Sequence, residues 1–191
     1  MADSWTIRDV LAWTAGHLAE RGSDTARLDA EVLLAHALGT DRLHLYLDPD
    51  RPLSPDERDA YRELVRARGG GAPVAHLTGE REFWSLPFRI TPDVLIPRPD
   101  TEVLVEQALA CMTAEAGRAA DLGTGSGCIA AALAHERPGW RVDATEMDPA
   151  AVAVARDNMQ RLGLEQRVTV HEGEWLTPLP GARFELIVSN P

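Results

Sequence analysis

The sequence predicts an α/β chain in two parts, a small helical segment followed by a parallel sheet wound with helices. Three observations carry this. Helix-spaced apolar positions with strong start signals fill the first seventy residues. From residue 118 onward, short apolar runs alternate with helical patterns. Between the first such run and the helix after it stands Asp121-Leu122-Gly123-Thr124-Gly125-Ser126-Gly127, with three glycines at alternate positions.

In the first part, Ile7, Val10, Leu11 and Leu18 share one face of a helix capped near Thr6. A second helix is expected from about Thr25 to Leu38, with Leu28, Val32 and Ala35 on its apolar stripe and Gly39 ending it. A short helical piece follows at 42–47. Ser54-Pro55-Asp56-Glu57 combines a Ser cap, Pro at the first helical position and Glu at the third, which is a capping box. The helix it opens carries Tyr61, Leu64 and Val65 inward and ends by Gly69-Gly70-Gly71. The domains expected are 1–71, a linker hairpin at 72–99, and 100–191.

The linker holds Phe83, Trp84, Leu86, Phe88 and Ile90 with Pro87, Pro92, Pro97 and Pro99, a pattern of two short strands and a stiff extended segment. Asp100 is then placed to cap a helix from Thr101 to Ala114 with Val105, Leu109 and Met112 inward. Beyond it the sequence reads as strand 118–122, helix 128–136, strand 140–146, helix 149–162, strand 167–171 and strand 184–189. Such alternation gives a doubly wound sheet with ligands at the carboxyl ends of its strands.

The glycine stretch is read as a cofactor loop, because glycine supplies left-handed dihedrals and lets a ligand approach bare backbone at a helix start. Glu146, nineteen residues beyond Gly127, ends the next strand, where an acid accepts hydrogen bonds from a ribose. The same glycines would also serve a turn needed only for packing. A nucleoside cofactor is expected, and the spacing leaves its identity open, since a dinucleotide loop prefers the third glycine three residues after the second rather than two.

Composition narrows the classes. Nineteen Lys plus Arg against thirty Asp plus Glu give a formal net charge of −11, which disfavours extended contact with a phosphate backbone. No run approaches the roughly 18 apolar residues of a membrane span, so a cytoplasmic chain is expected. Cys111 and Cys128 carry no pairing motif and are expected to be buried thiols, and the six scattered histidines predict no metal site. Phe184-Glu185-Leu186-Ile187-Val188 reads as a buried strand that would leave an apolar edge open, so the chain is expected to be the amino-terminal part of a longer sheet.

These residues resemble the HemK/PrmC family of protein-(glutamine-N5) methyltransferases. The marks are Gly79-Glu80-Arg81-Glu82-Phe83-Trp84, Leu95-Ile96-Pro97-Arg98-Pro99-Asp100-Thr101-Glu102, the glycine loop, and Ser189-Asn190-Pro191. The resemblance implies an incomplete Rossmann-like methyltransferase sheet behind a helical substrate-docking domain. S-adenosylmethionine as cofactor and class I peptide-chain release factors as substrate are implied too, with a monomeric full-length form. The implied cofactor contacts are Gly123, Thr124, Gly125, Ser126, Gly127, Glu146, Trp175 and Asn190. Asn190 and Pro191 are the implied catalytic residues and, with Arg98, bind substrate; Glu102 lies along the same cleft. The family motif is Asn-Pro-Pro-Tyr and only its first half is present, so the 191-residue form is expected to be inactive. Glutamine methylation of a ribosomal protein, adenine-N6 methylation, a nicotinamide-dinucleotide dehydrogenase and a non-catalytic binding fragment stand as alternatives.

Overall fold

The computed structural model describes residues 5–190. The chain divides into two compact units at Thr78–Gly79. In the first lie α1 (Ile7–Glu20), α2 (Ala26–Leu38), α3 (Arg42–Leu47), α4 (Pro55–Gly69) and α5 (Val74–Thr78). Two reciprocal capping boxes set the starts of α1 and α4. The Asp9 amide donates to Thr6 Oγ1 while the Thr6 amide donates to the Asp9 carboxylate; Ser54 and Glu57 do the same, with Pro55 at the first helical position. Ile7, Leu11, Leu33, Leu34, Leu45 and Tyr61 form the core of this unit.

The stripe expected on α2 is rotated. Leu28 is exposed and Val32 half-buried, whereas Ala30, Leu33 and Leu34 are buried together with Asp29 and Glu31. Two buried acids are tolerable because both are paired. Asp29 accepts from Arg68 Nε at 2.8 Å and from the Ser23 and Thr25 hydroxyls. Glu31 accepts from Arg27 at 2.6 Å, Arg42 at 2.8 Å and the Tyr46 hydroxyl. Burial opposes its ionisation, but Tyr46, Arg42 and Arg27 outweigh that and hold its carboxyl below the usual range.

The second unit begins with a hairpin of β1 (Glu80–Phe83) and β2 (Leu86–Arg89). Trp84 and Ser85 at its turn both take left-handed backbone, φ +53° and +57°. The Trp84 amide and indole N–H donate to Glu102 at 3.1 Å and Glu136 at 2.8 Å. Then α6 spans Asp100–Cys111, shorter than the helix read from the sequence. Pro99 occupies the cap position without a side-chain bond, and Asp100 falls inside the first turn. The face carrying Val105, Ala108 and Met112 is buried, which turns Cys111 outward, against the expectation that both thiols are covered. Cys128 is buried, and that burial pushes its thiol up to about 12.

Next come β3 (Gly117–Leu122), α7 (Cys128–Glu136), β4 (Trp140–Glu146), α8 (Pro149–Arg161), β5 (Val168–Glu172) and β6 (Leu186–Ser189). The four strands from β3 to β6 form one parallel sheet in the order β5-β4-β3-β6. The chain therefore winds outward from β3 to β5 and then jumps back across β3. That reversal puts a crevice at the carboxyl ends of β3 and β6, where doubly wound folds bind ligands. Leu122 pairs with Ser189, so the loops beginning at Gly123 and Asn190 leave the sheet side by side. Strand β6 is shorter and less buried than its sequence suggests. As the outer strand among the described residues it covers Val188 alone, and Ile187 is 49% exposed.

Candidate active site

A cleft of about 400 Å³ opens at this crevice. Its floor is the glycine loop. Gly123, Gly125 and Gly127 all have positive φ, +73°, +55° and +83°, where an L side chain is strained. A Cβ on Gly125 would meet no protein atom within 4 Å, because that side of the residue faces the cleft. Gly127 lies behind the loop, where a Cβ would stand 2.7 Å from Met159 Cε.

The loop is held from several sides. Gly123 and Thr124 amides both donate to the Thr145 carbonyl, at 2.9 and 3.0 Å. Glu146 accepts from the Gly125 amide at 3.0 Å through one oxygen, and from Met147 and Asp148 amides at 2.8 and 3.1 Å through the other. Asp121 is fully buried beneath the loop and accepts from the Thr124 hydroxyl at 2.5 Å and the Ala130 amide at 3.2 Å. Burial raises its pKa to about 6, while those two bonds pull it down and the Glu146 charge pushes it further up. Its Oδ1, like Thr145 Oγ1, is buried without a partner among the described residues.

Fully buried Asn158 on α8 completes the loop's support. Its Oδ1 accepts from the Arg89 amide at 2.7 Å, and its Nδ2 donates to the Arg89 carbonyl at 3.1 Å and the Ser126 carbonyl at 2.9 Å. Ser126 needs this partner, since the Ala130 amide four residues on is turned to Asp121.

Across the crevice, Asn190 Nδ2 donates to Thr101 Oγ1 at 3.0 Å. With the amide nitrogen so engaged, the side-chain oxygen is the acceptor left to the cleft. Trp175, at φ +51° and 50% exposed, lines the cleft beside Gly173 and Glu174. Holding a bulky residue in left-handed backbone costs of order 1–3 kcal/mol, and such strain concentrates at ligand sites.

The cleft thus brings together Arg98, Gly123, Thr124, Gly125, Ser126, Glu146, Trp175 and Asn190. Gly127 supports the loop from behind, Pro191 lies outside the described residues, and Glu102 holds the hairpin turn through the Trp84 amide. Thr101, Asp121 and Asn158 were not singled out in the sequence as site residues. Thr101 and Asp121 stand inside quoted motifs, whereas Asn158 is 69 residues from Arg89 and carries no local signal. Among the described residues no group of three or more His, Cys, Asp or Glu is arranged to hold a metal ion, and no helix is long and apolar enough to cross a membrane.

Comparison with known proteins gives two family matches, the PrmC N-terminal domain over residues 9–79 and the methyltransferase small domain over residues 99–191. The chain is 50% identical over 187 residues to the release factor glutamine methyltransferase of Geobacter sulfurreducens, covering 98% of this chain and 65% of that protein. To the Shewanella oneidensis protein of the same name it is 46% identical over 191 residues, covering 100% and 66%. To that of Escherichia coli it is 44% identical over 171 residues, covering 90% and 61%. The chain thus spans 61–66% of the length of these relatives. Among solved structures, human methyltransferase 10 domain containing protein superposes with a TM-score of 0.48 at 24% identity, over 56% of this chain and 55% of that one. With its helical first unit, its Rossmann-like parallel sheet and sequence relatives along nearly all its length, the chain belongs to the HemK/PrmC family.

Proposed function

We propose that this chain binds S-adenosylmethionine in the cleft and belongs to an enzyme that methylates the side-chain amide of a glutamine in class I peptide-chain release factors. The observation that carries this reading is the meeting of the glycine loop, Glu146 and Asn190 at one sheet reversal. The printed names of the relatives, release factor glutamine methyltransferase at 42–50% identity, support the same substrate.

When bound, the cofactor supplies an electrophilic methyl group on a sulfonium. The residues fit it. Bare backbone at Gly125 lets a ligand lie against the loop, Glu146 offers carboxylate lone pairs to ribose hydroxyls, and Trp175 presents an aromatic face to a purine. A carboxamide nitrogen is a poor nucleophile because its lone pair is delocalised. The protein's contribution is therefore to hold it in line, with Asn190 Oδ1 and the Pro191 carbonyl accepting its two hydrogens. Arg98 at the cleft rim is a contact for the substrate backbone. Residues 1–71 serve docking, 72–99 link, and 100–191 carry the chemistry. The acidic charge argues against nucleic acid as substrate, and a translation partner supports a cytoplasmic location for a full-length form that works as a monomer.

Calorimetry on the 191-residue chain should show S-adenosylhomocysteine binding and no NADH binding; the reverse would overturn the cofactor. The protein encoded by the reading frame that contains this chain should transfer labelled methyl to a release-factor glutamine located by mass spectrometry. Transfer to DNA or to a ribosomal protein instead would overturn the substrate.

A further inference from the structure

A second cavity, of about 520 Å³, lies in the first unit between α1 and α4. Among the described residues its lining has four arginines and no Asp or Glu, in a chain whose net charge is −11. Two of those arginines are already neutralised along α4, Arg62 by Asp59 and Arg66 by Glu63, both at 2.6 Å. Arg58 is not. Its Nε is buried and has no hydrogen-bond partner among the described residues. Beside it the large apolar side chain of Trp13 is 54% exposed, its ring stacked on His17 at 4.8 Å. An unpaired guanidinium next to an uncovered indole asks for a carboxylate and an apolar group on one ligand.

We propose that this groove docks an acidic segment of the protein substrate, one carboxylate pairing with Arg58 and an adjacent apolar side chain covering Trp13. The partner's identity rests on the release-factor reading above; the chemistry of the groove does not. Trp and Arg are the side chains that dominate protein interfaces when desolvated. The chain's overall negative charge repels a polynucleotide beyond the groove, whereas a short segment with one or two carboxylates can stay within reach of the lining arginines.

The test measures binding of the 191-residue chain to a purified class I release factor by biolayer interferometry at low and physiological salt. Wild type, Trp13→Ala, Arg58→Gln and, as a control in the second unit, exposed Arg141→Gln are compared. Circular dichroism melts verify folding, and Trp13→Ala removes a side chain outside the core. Binding weakened at least about tenfold in Trp13→Ala and Arg58→Gln, unchanged in Arg141→Gln and reduced by salt is the expected result. Equal binding by all four proteins would overturn the groove while leaving the substrate intact. Failure of the wild type to bind, with S-adenosylhomocysteine still bound, would overturn the release factor as substrate and with it the occupant. An RNA oligonucleotide that displaces the release factor and loses affinity in Arg58→Gln would reassign the groove to nucleic acid and refute the proposal.

Discussion

Replacing Asn158 by Ala should destabilise the second unit sharply, because its side chain ties β2, α8 and the glycine loop together through three hydrogen bonds. The Ser126 carbonyl is in a buried setting and loses its partner outright, at about 2 kcal/mol, while the two part-buried Arg89 groups regain some water and cost about 1 kcal/mol each. The sum, about 4 kcal/mol, corresponds to a fall of roughly 10 °C or more in the melting temperature of a unit of this size. Asn158→Asp separates the contributions. It keeps the acceptor for the Arg89 amide but sets a carboxylate oxygen against two carbonyls, so its deficit relative to wild type should shrink as falling pH protonates it. Thermal melts of the three proteins at pH 5 and pH 8 provide the assay. A drop below about 3 °C for Asn158→Ala would refute the reasoning, by showing that the loop and hairpin hold without this side chain.

Three further outcomes are expected. Gly125→Val should abolish S-adenosylhomocysteine binding by calorimetry, at a stability cost of about 1–3 kcal/mol for a β-branched residue held at φ +55°; unchanged affinity in the folded variant would place the ligand elsewhere. Asp121, raised from 3.8 to about 6, binds more protons folded than unfolded across that interval. Stability should therefore fall by about 3 kcal/mol as pH rises from 4 to above 6, and Asp121→Asn should flatten that part of the pH profile. Iodoacetamide should label one thiol in the native chain, Cys111, and two in denaturant; labelling of both in the native state would contradict the burial of Cys128.

What the sequence revealed was local in origin. The glycine loop was legible because positive φ at 123, 125 and 127 is a requirement each residue meets alone. The capping box at Ser54 and Glu57 was legible because both partners lie within one turn. The rotated face of α2 was hidden, since the cation that pairs with buried Asp29 is Arg68, 39 residues away, and Glu31 draws on Arg42 and Tyr46 as well as Arg27. Asn158 was hidden for the same reason. Its neighbours on α8, Val154, Ala155 and Met159, announce a buried face, but nothing nearby says that a polar residue belongs on it. The partial exposure of β6 depends on what packs beside it, and no pattern within Leu186–Ser189 encodes that.

The three amides that grip Glu146 leave its carboxylate unable to swing aside. If the proposed cofactor's ribose sits there, a carboxylate so held would screen ligands by charge as well as by shape. Nucleosides with free hydroxyls are admitted, whereas those phosphorylated on the ribose would set two negative charges within hydrogen-bond distance. In a flexible side chain that repulsion would be relieved by a rotamer change. Here relief would require breaking the bond to Gly125 that shapes the loop itself, so on the proposed reading a ribose-phosphorylated dinucleotide would be disfavoured by the same contacts that build the site.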